Sequence, residues 1–89
     1  MGSINVKIKV MPSSPEVNLE ELEEKIKALV EKNKGIGCKF EEEPIAFGLK
    51  AVMTYFIYGE DQELDTLEKE LEELENVNSV QVMDIRKAL

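Results

Sequence analysis

The chain has no histidine, no tryptophan and one cysteine, Cys38, among its 89 residues. Without histidine there is no imidazole base near neutral pH, no imidazole metal ligand and no Ser-His-Asp triad. A single cysteine excludes an internal disulfide, a Cys-x-x-Cys pair and a thiolate zinc cluster. Positive charge is scarce: 11 Lys and Arg face 19 Asp and Glu, a net charge of −8. That balance argues against phosphate-backbone binding as the main activity, because nucleic-acid binders need basic surface to release counterions. No apolar run approaches the ~18 residues of a membrane span, and no apolar stretch of a signal peptide follows Met1. The expectation is a cytoplasmic protein that is no enzyme, carries no cofactor or metal, touches neither membrane nor nucleic acid directly, and acts by binding.

What is there suits one domain over residues 1–89, with 43% apolar and 34% charged residues. Ile4, Val6, Ile8 and Val10 alternate with Asn5, Lys7 and Lys9, which predicts a strand with one buried face. Pro12, Ser13, Ser14 and Pro15 end it in a loop. Asn18 with Glu21 predicts a capped helix start, and Leu19, Leu22, Ile26, Leu29 and Val30 form its inward stripe. Gly35 and Gly37 are the candidate stops of this helix, Gly35 the better left-handed residue. Ile36, Cys38 and Phe40 alternate weakly, which predicts a short strand to about Glu42, kept to the sheet edge by Pro44. Residues 49–58 are apolar on both faces and read as a strand that is either central in the sheet or shares its second face with a partner. Leu64, Leu67, Leu71 and Leu74 predict a second helix over about 63–75, capped by Asp65 with Glu68 or by Asp61. A last strand covers 79–86, with Val80 and Val82 on one face and Met83 and Ile85 on the other.

Strand, helix, strand, strand, helix, strand is the split βαβ pattern of an α+β, ferredoxin-like βαββαβ sandwich. Right-handed crossovers give the order 4-1-3-2, a four-stranded antiparallel sheet with two helices on one face.

Few residues suggest chemistry. Glu41, Glu42 and Glu43 are consecutive on an extended chain, point in opposite directions and read as a solvated loop rather than a metal site. Cys38 reads as a small core residue. Gly35-Ile36-Gly37-Cys38-Lys39 resembles part of a phosphate loop but follows a helix instead of preceding one, so its amides do not gather at a helix N-terminus. Two segments stand out from a purely structural pattern. Glu43-Pro44-Ile45-Ala46-Phe47-Gly48-Leu49-Lys50 joins two strands yet carries an aromatic and an apolar Ile. Phe47 is there either as an interface anchor beside a permissive Gly48 or as a cover over the end of the core. Asp84-Ile85-Arg86-Lys87-Ala88-Leu89 puts adjacent cations at the end of an acidic chain, either for contact or as an ordinary frayed tail.

Three stretches carry a family resemblance: Ile8-Lys9-Val10-Met11-Pro12-Ser13-Ser14-Pro15, Glu43 through Ala51, and Val80-Gln81-Val82-Met83-Asp84-Ile85-Arg86-Lys87. With them the chain resembles the archaeal translation elongation factor 1-beta family, the guanine nucleotide exchange factors for elongation factor 1-alpha. The resemblance implies a domain that promotes GDP release from, and GTP reloading of, that G protein during polypeptide elongation. It implies a partner-binding set of Phe47, Gly48, Lys50, Arg86 and Lys87, with Phe47 at the position of a contact phenylalanine. It also implies a cation near the C-terminus that intrudes where the partner's magnesium ion sits; Lys87 is the nearest match and Arg86 the second. A ferredoxin-like ligand-sensing or subunit-interaction module that dimerises through the open sheet face is the alternative.

Overall fold

In a computed structural model the chain folds as β1 (Ser3–Pro12), α1 (Leu19–Lys32), β2 (Ile36–Pro44), β3 (Lys50–Gly59), α2 (Leu64–Glu72) and β4 (Val77–Ala88). The structure describes residues 2–88. The sheet order is β2-β3-β1-β4, which is the expected order read from the other edge, and each adjacent pair is antiparallel.

The alternation in β1 decides which face is buried. Val6, Ile8 and Val10 lie in the core, opposite Phe56, Thr54 and Val52 of β3. Leu22, Ile26 and Val30 of α1 and Leu67 and Leu71 of α2 close over the same face and share one cluster with them. Each such side chain contributes about 1.5–3 kcal/mol when fully buried. Asn5, Lys7 and Lys9 lie on the opposite, open face, where no helix packs. The central position allowed for the doubly apolar β3 is the one it occupies. Among the described residues, one buried side-chain polar atom has no hydrogen-bond partner: Oγ1 of Thr54, midway along β3.

Asn18 caps α1, its Oδ1 accepting from the Glu21 amide at 3.2 Å. The other end of α1 differs from expectation. Lys34, at φ 71°, takes the left-handed position. The Lys34 amide donates to the Glu31 carbonyl and the Gly35 amide to the Val30 carbonyl, the paired bonds of a Schellman stop. Gly35 is needed for space instead: a Cβ there would sit 2.4 Å from Cγ1 of Val30. Asn33 and Lys32 both bind Glu70 of α2 at 2.7 Å, which ties the two helices together.

Three further corrections concern the second half. β2 runs to Pro44, beyond Glu42, because an edge strand pairs on one side only and tolerates a proline at its end. α2 is shorter than expected and begins after Glu63, which makes no side-chain cap bond; Asp61 and Asp65 do not cap it. In β4 the register slips between Lys7 and Ile8 of β1, leaving Met83 as an extra residue. This bulge reverses the parity of everything after it. Ile85 therefore lies opposite core residue Val6, on the helix side, and not on the face expected from simple alternation.

No described helix is long and apolar enough to cross a membrane.

Candidate functional site

The candidate residues fall at two ends of the sheet. At one end β2 and β3 form a hairpin. The Leu49 amide donates to the Ala46 carbonyl at 2.9 Å, and the Ile45 amide to the Leu49 carbonyl at 2.9 Å. Phe47 and Gly48 sit between at φ 54° and 80°. Positive φ at both central positions makes this a type I′ turn, whose twist matches the hairpin. Asn-Gly is the usual occupant; here a phenylalanine takes the first position. A left-handed conformation costs a bulky L-residue roughly 1–2 kcal/mol, and the ring gains no burial in return, being 96% exposed. Phe47 does not cover the core.

The proline loop lies beside this turn. A Cβ on Gly48 would lie 3.6 Å from Pro15, and Ser13 is pinned by its amide to the Asn76 carbonyl at 2.8 Å. Lys50, the first residue of β3, makes only a loose pair with Glu42 at 3.9 Å. The first two of the three sequence stretches singled out thus meet at one end of the molecule.

The third starts beside the first, with Val80 opposite Val10, and runs along β4 to the other end, where Arg86 and Lys87 lie. Lys87 is opposite Ile4, which is opposite Tyr58, eight residues along β3 from Lys50. At ~3.3 Å per residue that separates the ends by about 26 Å. The two cations here do not converge. Arg86 lies opposite Asn5 on the open face, and Lys87 opposite Ile4 on the helix side. Each is held by an acid of its own chain: Arg86 Nε on Asp84 Oδ2 at 2.7 Å, Lys87 Nζ on Glu60 Oε1 at 3.2 Å. Pairs this exposed contribute about 0.2–1 kcal/mol and open readily. The spacing of Asp84 and Arg86 along one strand was a signal for the first pair. Glu60 had none, because it reaches Lys87 only through the sheet.

The remaining candidates are the acidic run and Cys38. Among the described residues no group of three or more Cys, Asp or Glu is placed to hold a metal ion. Glu41 and Glu43 oppose open-face residues of β3, while Glu42 opposes core residue Val52, so the acidic run diverges as expected. Burial pushes the Cys38 thiol up to about 11, which keeps it protonated and unreactive.

Residues 5–88, which include both ends, match the model of the EF-1 guanine nucleotide exchange domain. The chain belongs to this family. It is 47% identical to the elongation factor 1-beta of Pyrococcus abyssi over 90% of this chain and 89% of that one. It is 44% identical to that of Pyrococcus furiosus over 98% and 99%, and 42% identical to that of Methanocaldococcus jannaschii over 99% and 100%. Membership of the exchange-domain family does not favour the alternative of a sensing or subunit-interaction module. Both the Phe47 turn and the Arg86–Lys87 end of β4 lie within the matched residues.

Proposed function

We propose that this chain binds elongation factor 1-alpha in its GDP form, releases the nucleotide and lets GTP enter, as a cytoplasmic exchange factor for translation. The observation that carries the reading is the exchange-domain match over residues 5–88. No covalent bond is made or broken by the factor; its work is linkage. A partner that prefers the nucleotide-free state weakens nucleotide binding reciprocally.

In this reading the two ends have separate tasks. Phe47 inserts its ring into the partner, Gly48 allows close backbone approach, and Lys50 lies beside them. About 26 Å away the tail reaches the nucleotide. Lys87 leaves Glu60 and places its ammonium where the partner's magnesium ion sits, with Arg86 as the second cation. Displacing that ion removes a large local charge that holds the phosphates. Lys87 is preferred because its bridge to Glu60, at 3.2 Å, is the longer of the two.

The test is release of fluorescent GDP from loaded elongation factor 1-alpha. Added chain should accelerate it; no acceleration at saturating chain overturns the reading. Lys87→Ala should slow release at saturation by about ten-fold, roughly 1.4 kcal/mol, with little loss of affinity. If the release rate is unchanged, the role passes to Arg86. If the double variant also releases normally, the tail has no part in exchange.

A further inference from the structure

The Phe47 turn and the tail leave the middle of the interface unassigned. A specific complex of this kind buries roughly 800 Å² on each partner, whereas one aromatic ring supplies about 150–250 Å². More of the surface between the two ends must therefore be covered. The helices are poor candidates for that contact. Five acids face three lysines in α1 and four face one lysine in α2, so their outer surfaces carry the sign of the whole chain and single out no place on it.

The open face is different at its tail half. A hollow of about 500 Å³ lies there, floored by Tyr55 and Ile57 and rimmed by Lys7, Lys39, Asp84 and Arg86. Three cations and one acid surround it, in a chain of net charge −8. Asp84, the one acid, is already occupied by Arg86. Lys7 holds its ammonium 5.6 Å from the centre of the Tyr55 ring, over an apolar floor.

Two bulges build this hollow. In β4 the extra Met83 turns Asp84 and Arg86 toward the open face. In β2 the register slips between Ile36 and Lys39, with Gly37 at φ 65°. Gly37 lines the hollow without a side chain, and Lys39 follows on the rim. Both outer strands thus depart from regular pairing at the same place. Bulges of this kind re-aim side chains and concentrate beside functional sites. Further along the same face Lys9 is outnumbered by Glu41 and Glu43, so the excess of positive charge is confined to the end that carries the tail.

We propose that this hollow docks a carboxylate-bearing segment of the G protein, with an apolar side chain of that segment on Tyr55 and Ile57 and its acid between Lys39 and Lys7. The inference rests on the proposed exchange function and adds a third contact to it. Confinement by Glu41 and Glu43 favours a short acidic protein segment over a nucleic-acid strand, whose repeating phosphates would meet those glutamates.

The experiment compares two charge reversals of equal size. Lys39→Glu alters the hollow; Lys25→Glu makes the same change on the exposed surface of α1. Circular dichroism checks that both fold. Binding to GDP-loaded elongation factor 1-alpha and fluorescent GDP release are measured for each, beside the unaltered chain. Lys39→Glu should weaken binding at least five-fold relative to Lys25→Glu, with release at saturation unchanged, and Lys7→Glu should behave like Lys39→Glu. Equal affinities for the Lys39 and Lys25 variants overturn the proposal, since only overall charge would then matter. Binding of a short single-stranded RNA to the free chain, abolished by Lys39→Glu, also overturns it. If the unaltered chain fails to accelerate release, the exchange reading fails first, a result distinct from either of these.

Discussion

The two ends of the sheet hold their candidate groups in opposite ways. At the Phe47 end a two-residue turn with hairpin hydrogen bonds at 2.9 Å holds a bulky residue in a left-handed conformation and leaves its ring in solvent. Display costs local strain, and the ring is already in position before any partner arrives. At the tail end no described residue from Asp84 on takes a positive φ, but each cation is tied to an acid of its own chain. Those groups become available only when an exposed ion pair opens. A pre-set apolar contact suits affinity, because ordering has been completed in the free protein. A releasable cation suits a step that comes after docking.

That contrast can be broken at its strongest point first. Phe47→Ala should weaken binding to elongation factor 1-alpha by about 2 kcal/mol or more, the usual cost of truncating an aromatic anchor, while the melting temperature stays near that of the unaltered chain. A collapse of thermal stability would instead make Phe47 a structural residue. Combined with Lys87→Ala, the losses in binding plus release should add to within about 0.5 kcal/mol, because the sites lie too far apart to couple. A larger coupling energy from the double-mutant cycle would mean the two ends do not act separately.

Phe47→Asn sharpens the same point. Asparagine accepts the left-handed region, so this variant should be more stable than the unaltered chain by roughly 1 kcal/mol in chemical denaturation and should still lose affinity. Equal stability would show that the turn stores no strain. Between the ends, Thr54→Val keeps the shape of a buried side chain and removes an unpaired hydroxyl; a stabilisation of about 1 kcal/mol is expected in the same measurement.

The smallest effect lies in the helix layer. Hydrogen bonds from Lys32 and Asn33 hold the Glu70 carboxyl below its ordinary value of 4.5. A carboxylate with a depressed folded pKa stabilises the fold above its unfolded pKa and loses that contribution as pH falls through the folded one. The stability difference between the unaltered chain and Glu70→Gln should therefore be constant near neutrality and shrink below about pH 4.5. A difference that persists unchanged at pH 3 would assign the effect to shape instead of charge.

Much of the fold was legible because it rests on local periodicity. The alternation of β1, the stripe of α1 and the doubly apolar β3 all correspond to elements that bury those apolar residues, and Asn18 caps α1 as its sequence suggests. The departures arise where pairing between strands, and not the sequence of one strand, decides. Alternation put Ile85 on the open face, but one extra residue at Met83 reverses the parity, and the bulge exists only in relation to β1. Gly35 was read for its backbone freedom, whereas its neighbours Val30 and Phe56 require the absence of a side chain. At the candidate site, Phe47 and the tail cations were picked out by their residue types. The left-handed turn that exposes the ring, the nearness of Pro15 and the link from Lys87 to Glu60 depend on contacts distant in sequence.

The bulges have a consequence for the chain's behaviour toward copies of itself. β2 and β4 are both sheet edges, nine and twelve residues long, with unpaired backbone groups along their outer sides. A straight edge of that length is a template on which another molecule can add a strand and start an aggregate. The slips at Gly37 and Met83 interrupt both templates near the same end of the sheet, and Pro44 together with the glutamates before it blunts the rest of β2. Irregular pairing thus gives this small acidic domain a safeguard against fibrous self-association at high concentration.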